Sequence, residues 1–157
     1  MGYMKGLILY TLVFPILVYG AVRYLDSRLG YKGDTRLLIA ACVLFAVSVY
    51  LPSPTIDGMD TQWWTHMVGG GVFCGLIWVY YRRKFARHSW AYELVQLLAL
   101  TSFLGVVNEL YELAAYVYLN GSPIADTSWD LLANTLGAMT LYIAYKLFTF
   151  FNDRLKK

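Results

Sequence analysis

Glu109 and Glu112 stand three residues apart inside one long apolar run, and Asp126, Asp130 and Asn134 follow at four-residue spacing across the start of the next. His66 sits in a third apolar run, earlier in the chain. An ionised group at the centre of a membrane helix costs about 2.5–3.5 kcal/mol on insertion scales. Carboxylates placed this way must therefore satisfy one another or hold something. Two or three carboxylates, one imidazole and an amide suit a hard or borderline divalent cation such as Mg²⁺, Ca²⁺, Mn²⁺ or Zn²⁺. With no cation, several of them must be protonated, a state suited to general acid/base work or proton relay. Glu112, His66 and Asp130 are the candidate catalytic groups. Glu109, Asn134, Asp126 and Asn108 are the candidate ligand-binding groups. His66, Glu109, Glu112 and Asp130 are the candidate metal set, with one divalent metal as the candidate cofactor. A hydrogen-bonded network that only packs helices is the competing reading.

The elements that must position these residues are membrane spans. The chain has 157 residues, 59% hydrophobic and only 15% charged, with a mean hydropathy of +0.49. Soluble domains carry about 25% charged residues. The expected fold class is therefore all-α: a polytopic membrane helix bundle forming a single transmembrane domain over 1–157. Five transmembrane helices are expected at about 4–24, 36–51, 60–81, 90–119 and 127–151. The first reads as a retained helix with Pro15 at mid-span, not as a cleaved signal. Asp34 or Thr35 is the expected N-cap of the second helix, and Asp60-Thr61 that of the third. Trp63-Trp64 at one end of the third helix and Trp78, Tyr80 and Tyr81 at the other form aromatic belts. Gly69-Gly70-Gly71 and Gly75 let a neighbouring helix approach closely. Cys42 and Cys74 fall inside apolar runs and read as small core residues.

Lys and Arg alternate between loops. Arg23, Arg28, Lys32 and Arg36 flank the first connection, Arg82, Arg83, Lys84 and Arg87 the third, and Arg154, Lys156 and Lys157 the tail. The second and fourth connections hold no base, and Lys5 is the one exception to the alternation. The positive-inside rule then sets the N-terminus outside and the C-terminus inside, in a multi-pass protein of the cell inner (cytoplasmic) membrane. At 1.5 Å per residue, His66 lies roughly 9 Å below the outer surface, Glu112 roughly 10 Å, Glu109 roughly 15 Å, Asp130 roughly 6 Å and Asn134 roughly 12 Å. Three helices thus place polar groups in one outer slice. Asp126, Asp130, Asn134 and Gly137 share one stripe, Asn108 is four residues before Glu112, and Gln62 and His66 make a further i, i+4 pair.

His66 with Gly69-Gly70, Glu109-Leu-Tyr-Glu112-Leu-Ala-Ala, and Asp126-Thr-Ser-Trp-Asp130-Leu-Leu-Ala-Asn134-Thr-Leu-Gly137-Ala together resemble the VanZ-like membrane proteins, and within them the YjdF-like bacterial inner-membrane proteins. The resemblance spans about 60–144. Where that pattern places an Asp four residues before the His, this chain has Gln62, with Asp60 two residues earlier. The resemblance implies a polytopic membrane protein and an association with glycopeptide resistance, but no settled activity.

Two functions fit. The outer-slice cluster binds or acts on a lipid or lipid-linked headgroup, with a divalent metal as its candidate partner. Alternatively, the protein is a non-enzymatic membrane subunit or scaffold, working as a homo-oligomer or beside a membrane protein partner. A proton or cation pathway is the weaker third case, because only Thr101, Ser102 and Thr140 continue it inward. Membrane lipid is the expected partner. Nucleic acid is not, because no basic patch is interleaved with aromatics. Gly69-Gly70-Gly71 lacks the Lys-Ser/Thr of a phosphate-binding loop.

Overall fold

The computed structural model describes residues 9–56, 59–85, 89–119 and 127–155, with side chains described within 11–55, 61–82, 89–110 and 127–155. Among the described residues, five helices carry the architecture. Helix α1 comprises a π-helical turn, Leu9–Val13, running into Phe14–Leu29; α2 is Thr35–Ser48; α3 is a π-helical stretch, Thr65–Val72, running into Phe73–Phe85; α4 is Trp90–Leu119; and α5 is Thr127–Leu155. A two-residue antiparallel ladder, β1 (Thr55–Ile56) with β2 (Met59–Asp60), pairs Thr55 with Asp60 and Ile56 with Met59.

Helix ends follow local chemistry. The widened turn of α1 falls just before Pro15, where proline removes a backbone donor. The helix runs on past the expected end at residue 24 and stops at Gly30, whose φ of 60° lets its N–H cap the Asp26 carbonyl. Asp26, expected to open a loop, is instead a helical residue. Asp34 is the N-cap of α2, its side chain accepting from the Arg36 N–H at 3.0 Å. The expected capping of the third helix by Asp60-Thr61 is corrected. Asp60 lies in β2, and the Thr61 hydroxyl turns back to donate to the Pro54 carbonyl at 2.8 Å. Gln62 then takes a left-handed φ of 46°, and the helical turns begin at Trp63. The fourth helix begins and ends where expected, and the fifth runs four residues further, to Leu155.

Helix α3 is the hub, packing against α2, α4 and α5. One face meets α1 and α2 through Val22, Leu38, Ala41, Phe73, Ile77 and Tyr80. The other meets α4 and α5 through Trp78, Leu97, Ala138 and Tyr142. The closest approach is between α3 and α5. A Cβ at Gly71 would stand 2.3 Å from the Asn134 carbonyl oxygen, and one at Gly137 would stand 2.0 Å from the Met67 carbonyl oxygen. Both glycines are thus required by backbone-to-backbone contact. Gly69 serves a different neighbour, with Ser48 of α2 pressed against it.

The outward faces are apolar. Ile39, Val43 and Val47 make an exposed stripe on α2, as do Val95, Phe103, Val106 and Leu110 on α4. Among the described residues two helices, Trp90–Leu110 within α4 and Thr127–Leu155, are long and apolar enough to cross a membrane. Only 22% and 28% of their apolar windows are buried inside the protein, far from the mostly buried state of a soluble core helix.

Candidate functional site

The first turns of α3 and α5 and the later turns of α4 meet at one end of the bundle. His66 Nε2 stands 3.3 Å from Asp130 Oδ1, with side chains only 8% and 2% exposed. The π-helical backbone carries His66 to this position. Its wider turn is recorded by the Phe73 N–H reaching back to the Val68 carbonyl, five residues earlier. Such turns recur where a helix must re-aim a functional side chain. On the α4 side, the Thr127 hydroxyl donates to Glu109 Oε2 at 2.7 Å. Thr127 and Asp130 share the opening turn of α5, so one turn of helix addresses both Glu109 and His66. Trp63 and Trp129 cross edge to face at 6.2 Å, one from each of the paired helices' starts.

Asn134 is one turn deeper, 4% exposed, on the same stripe as Asp130. Gly70 makes its space. A Cβ at Gly70, four residues on from His66, would fall 1.7 Å from Asn134 Oδ1. One at Gly105, four residues before Glu109, would fall 3.5 Å from Asn134 Nδ2. The arrangement is layered: His66, Glu109 and Asp130 above; Gly70, Gly105 and Asn134 beneath. Among the described residues no donor reaches Asn134 Oδ1 or Glu109 Oε1, and both atoms are buried.

The structure thus brings together His66 and Asp130 directly, Glu109 through Thr127, and Asn134 as the layer below. Asn108 is half-buried, a step of about 100° around α4 from Glu109. Glu112 lies on α4 with its side chain outside the described residues, and Asp126 lies outside them altogether. Gln62 does not share a helical stripe with His66, because it precedes the helix and is exposed. Among the described residues no three His, Cys, Asp or Glu side chains stand close enough to hold one metal ion. Of the expected four-residue metal set, the described part is the His66–Asp130 pair, with Glu109 apart from it.

Chemically, a carboxylate 3.3 Å from Nε2 is within reach to orient the imidazole, a group that can exchange a proton or take a ligand. Among the described residues, the half-buried Glu109 and Thr127 form the more accessible edge of the site. No Lys or Arg occurs between Leu37 and Tyr81 or between His88 and Tyr145. The helices that build this end therefore bring it acids and one imidazole.

The opposite end holds polar clusters that sequence reasoning missed. Glu93 of α4 is 5% exposed. It receives Arg82 of α3 at 3.1 Å on Oε1 and Lys146 of α5 on Oε2. The Arg82 guanidinium also donates to the Tyr145 hydroxyl. On the other face of α3, Asp26 is 2% exposed and takes Arg23 at 3.1 Å and the Tyr80 hydroxyl at 2.5 Å. The available signal was the α4 stripe Glu93, Leu97, Thr101, Gly105, Glu109, four residues apart throughout, which carries an acid to both ends.

No protein-family model, curated protein or solved structure matches this chain.

Proposed function

We propose that the protein is a multi-pass component of the cytoplasmic membrane, crossing five times with its N-terminus outside, and that the His66–Asp130–Glu109 site receives the headgroup of a lipid or lipid-linked molecule. The resemblance to VanZ-like and YjdF-like proteins belongs to this proposal. One observation carries it: a buried imidazole–carboxylate pair and a second acid converge from three helices, at an end where those helices supply no base. Exposed apolar stripes and sparsely buried long helices support the membrane setting. Basic residues confined to alternate connections support the orientation. At that orientation the site lies just beneath the outer headgroups, and its accessible edge is the one Glu109 and Thr127 form. A divalent metal, protons or the headgroup itself balance the charge of the acids. His66 acts there as acid/base or ligand, Asp130 orients it, and Asn134 closes the floor.

A second reading is a scaffold whose polar stripe only packs helices, favoured by the fit of Asn134 against Gly70 and of Gly71 against Gly137. Purified wild type, His66→Ala and Asp130→Ala, each titrated with labelled lipid and assayed for bound metal, separate the two. Lipid or metal binding lost in both variants at an unchanged melting temperature supports the site. Unaltered binding in both, or variants that only unfold earlier, supports the scaffold.

A further inference from the structure

Helix α5 outruns its neighbours at the end opposite His66. The Tyr142 hydroxyl donates to the carbonyl of Trp90, the first residue of α4, at 3.0 Å, and Lys146 meets Glu93. Arg82 of α3 meets Tyr145 at the same level. Beyond it α3 runs three residues, to Phe85, whereas α5 runs nine past Lys146, to Leu155. Nine residues rise roughly 13 Å. The hydrocarbon core takes about 20 residues of helix, and residues 127–146 are that length. At the orientation proposed above, residues 147–155 therefore pass through the inner headgroups toward water. Five of these nine are nonetheless large, apolar and exposed: Leu147, Phe148, Phe150, Phe151 and Leu155. Lipid tails do not reach that level, and each Å² of apolar surface kept from water is worth about 25 cal/mol.

The exposed residues of α5 are spaced for a helical partner. Leu136, Thr140, Ile143, Leu147, Phe150 and Arg154 are all exposed and alternate by four and three. That is the 3.5-residue repeat of a coiled-coil seam, and it keeps to the outward face from mid-span to the projecting end. The row through Phe148 and Phe151 does not, because it leads back to Gly137, which is packed against α3. In a coiled coil each knob enters a hole made by four residues of the facing helix. A groove along α5, lined by Ile143, Lys146, Leu147, Phe150 and Asp153 among others, has that form. Its first four residues make a hole, and Leu147 on a second copy is the matching knob. Knob and hole on one helix are what an isologous contact requires, and copies that share a membrane orientation pair their helices in parallel. Charge agrees. Arg154 stands over the Phe150 ring of its own chain at 4.4 Å, on the seam. In register, it enters the next hole of the second copy, where Asp153 supplies the opposite charge.

We infer that the protein pairs with a second copy of itself through α5, in parallel, with Ile143, Leu147 and Phe150 as the seam and Asp153 facing Arg154 across its inner end. The inference rests on the membrane orientation proposed above and not on the headgroup site, since the seam uses none of His66, Asp130 or Glu109. It gives the projecting end of α5 the apolar cover that lipid does not supply there.

The test uses the full chain in lipid vesicles. Leu147→Cys, Phe148→Cys, Phe150→Cys and Phe151→Cys are oxidised separately beside wild type, whose Cys42 and Cys74 set the background. Disulfide-linked dimers should form at 147 and 150 at least fivefold more than at 148 and 151. Energy transfer between chains labelled at the tail then measures association as protein is diluted in lipid. Leu147→Ala with Phe150→Ala, both on the exposed face, should weaken it at least tenfold. Arg154→Asp should weaken it too, and adding Asp153→Arg should restore it. His66→Ala should pair as wild type does, which separates failure of the seam from failure of the headgroup site. Cross-linking at 148 and 151 in place of 147 and 150 would overturn the seam. Equal cross-linking at all four positions would mark random collision, and a wild type without energy transfer would be a monomer whose stripe faces lipid; either result overturns the pairing.

Discussion

The two ends of the α3–α4–α5 seam solve the same problem in opposite ways. At one end, Glu93 is buried between Arg82 and Lys146, and two tyrosine hydroxyls, Tyr145 and Tyr142, close the network. At the other, Asp130 faces the His66 imidazole at 3.3 Å, and Glu109 accepts from the Thr127 hydroxyl. The first cluster is complete from its own residues. The second draws no Lys or Arg from residues 37–81 or 88–145. A fold can use a complete ion network as a clamp, because nothing further is needed to keep it buried. The other end sets acids beside an imidazole, a group that exchanges protons or binds ligands, which is why the functional proposal attaches to His66, Asp130 and Glu109, with Glu93 left to structure.

The largest expected effect breaks the clamp. Glu93→Ala leaves Arg82 and Lys146 without their carboxylate. Removing one partner of a fully buried pair costs about 3–5 kcal/mol. Arg82 and Lys146 remain 29% and 34% exposed, so solvent screening reduces this to about 2 kcal/mol. The melting temperature in detergent should fall by several degrees, while headgroup binding per folded molecule stays as in wild type. Loss of binding in the folded fraction would show that the two ends are not separable.

Gly70→Ala comes next and strikes the floor of the site. The new methyl would fall 1.7 Å from Asn134 Oδ1, so the amide must move or the helices must part. Overpacking of this kind costs about 1–3 kcal/mol. Adding Asn134→Ala removes the obstruction, so the double variant should recover most of the lost stability without recovering ligand binding. Thermal unfolding of the two single variants and the double, read as a cycle, measures this. A double variant no more stable than Gly70→Ala would place the strain elsewhere on α3.

Asp130→Asn sharpens the contrast by its small cost. The isosteric amide keeps the volume and still meets His66, so stability should change by less than about 1 kcal/mol. Its effect belongs in the ligand titration. If Asp130→Asn destabilises as much as Glu93→Ala, the His66 end is a clamp too and the scaffold reading gains.

The contrast also explains what could be read from the residues alone. Counting residues from the loops placed His66, Glu109, Asp130 and Asn134 in one slice, because helical rise is regular and polar residues in an apolar run stand out. The bounds of α4 followed from the Ser89 and Asn120-Gly121 breaks around an unbroken apolar run. Glu93 and Asp26 did not stand out. Each lies near a helix end, where a charge reads as solvated, and only packing shows that Tyr80 closes over Asp26 and that Arg82 and Lys146 converge on Glu93. Lys146, inside an expected span, is explained by the acid it meets and by nothing in its own segment. The start of α3 was misplaced for a related reason. Asp60 and Thr61 have capping side chains, but the β1–β2 ladder and the bond from Thr61 to Pro54 claim them first.

The last comparison, also small in stability, is the most discriminating. Thr127→Val keeps the side-chain shape and deletes the hydroxyl that donates to Glu109 Oε2. A hydrogen bond to a charged group contributes about 1.5–3 kcal/mol when buried, and Glu109 is only half-buried, so about 1 kcal/mol of stability should go. In a scaffold the matter ends there, and added lipid changes nothing. In a headgroup site the same loss also shows in the titration: the lipid that binds wild type should bind Thr127→Val with altered affinity, and at saturation it should raise the two melting temperatures by different amounts, because ligand that binds only the folded form stabilises in proportion to its affinity. Equal shifts in the two proteins would mean that Glu109 does not meet the ligand.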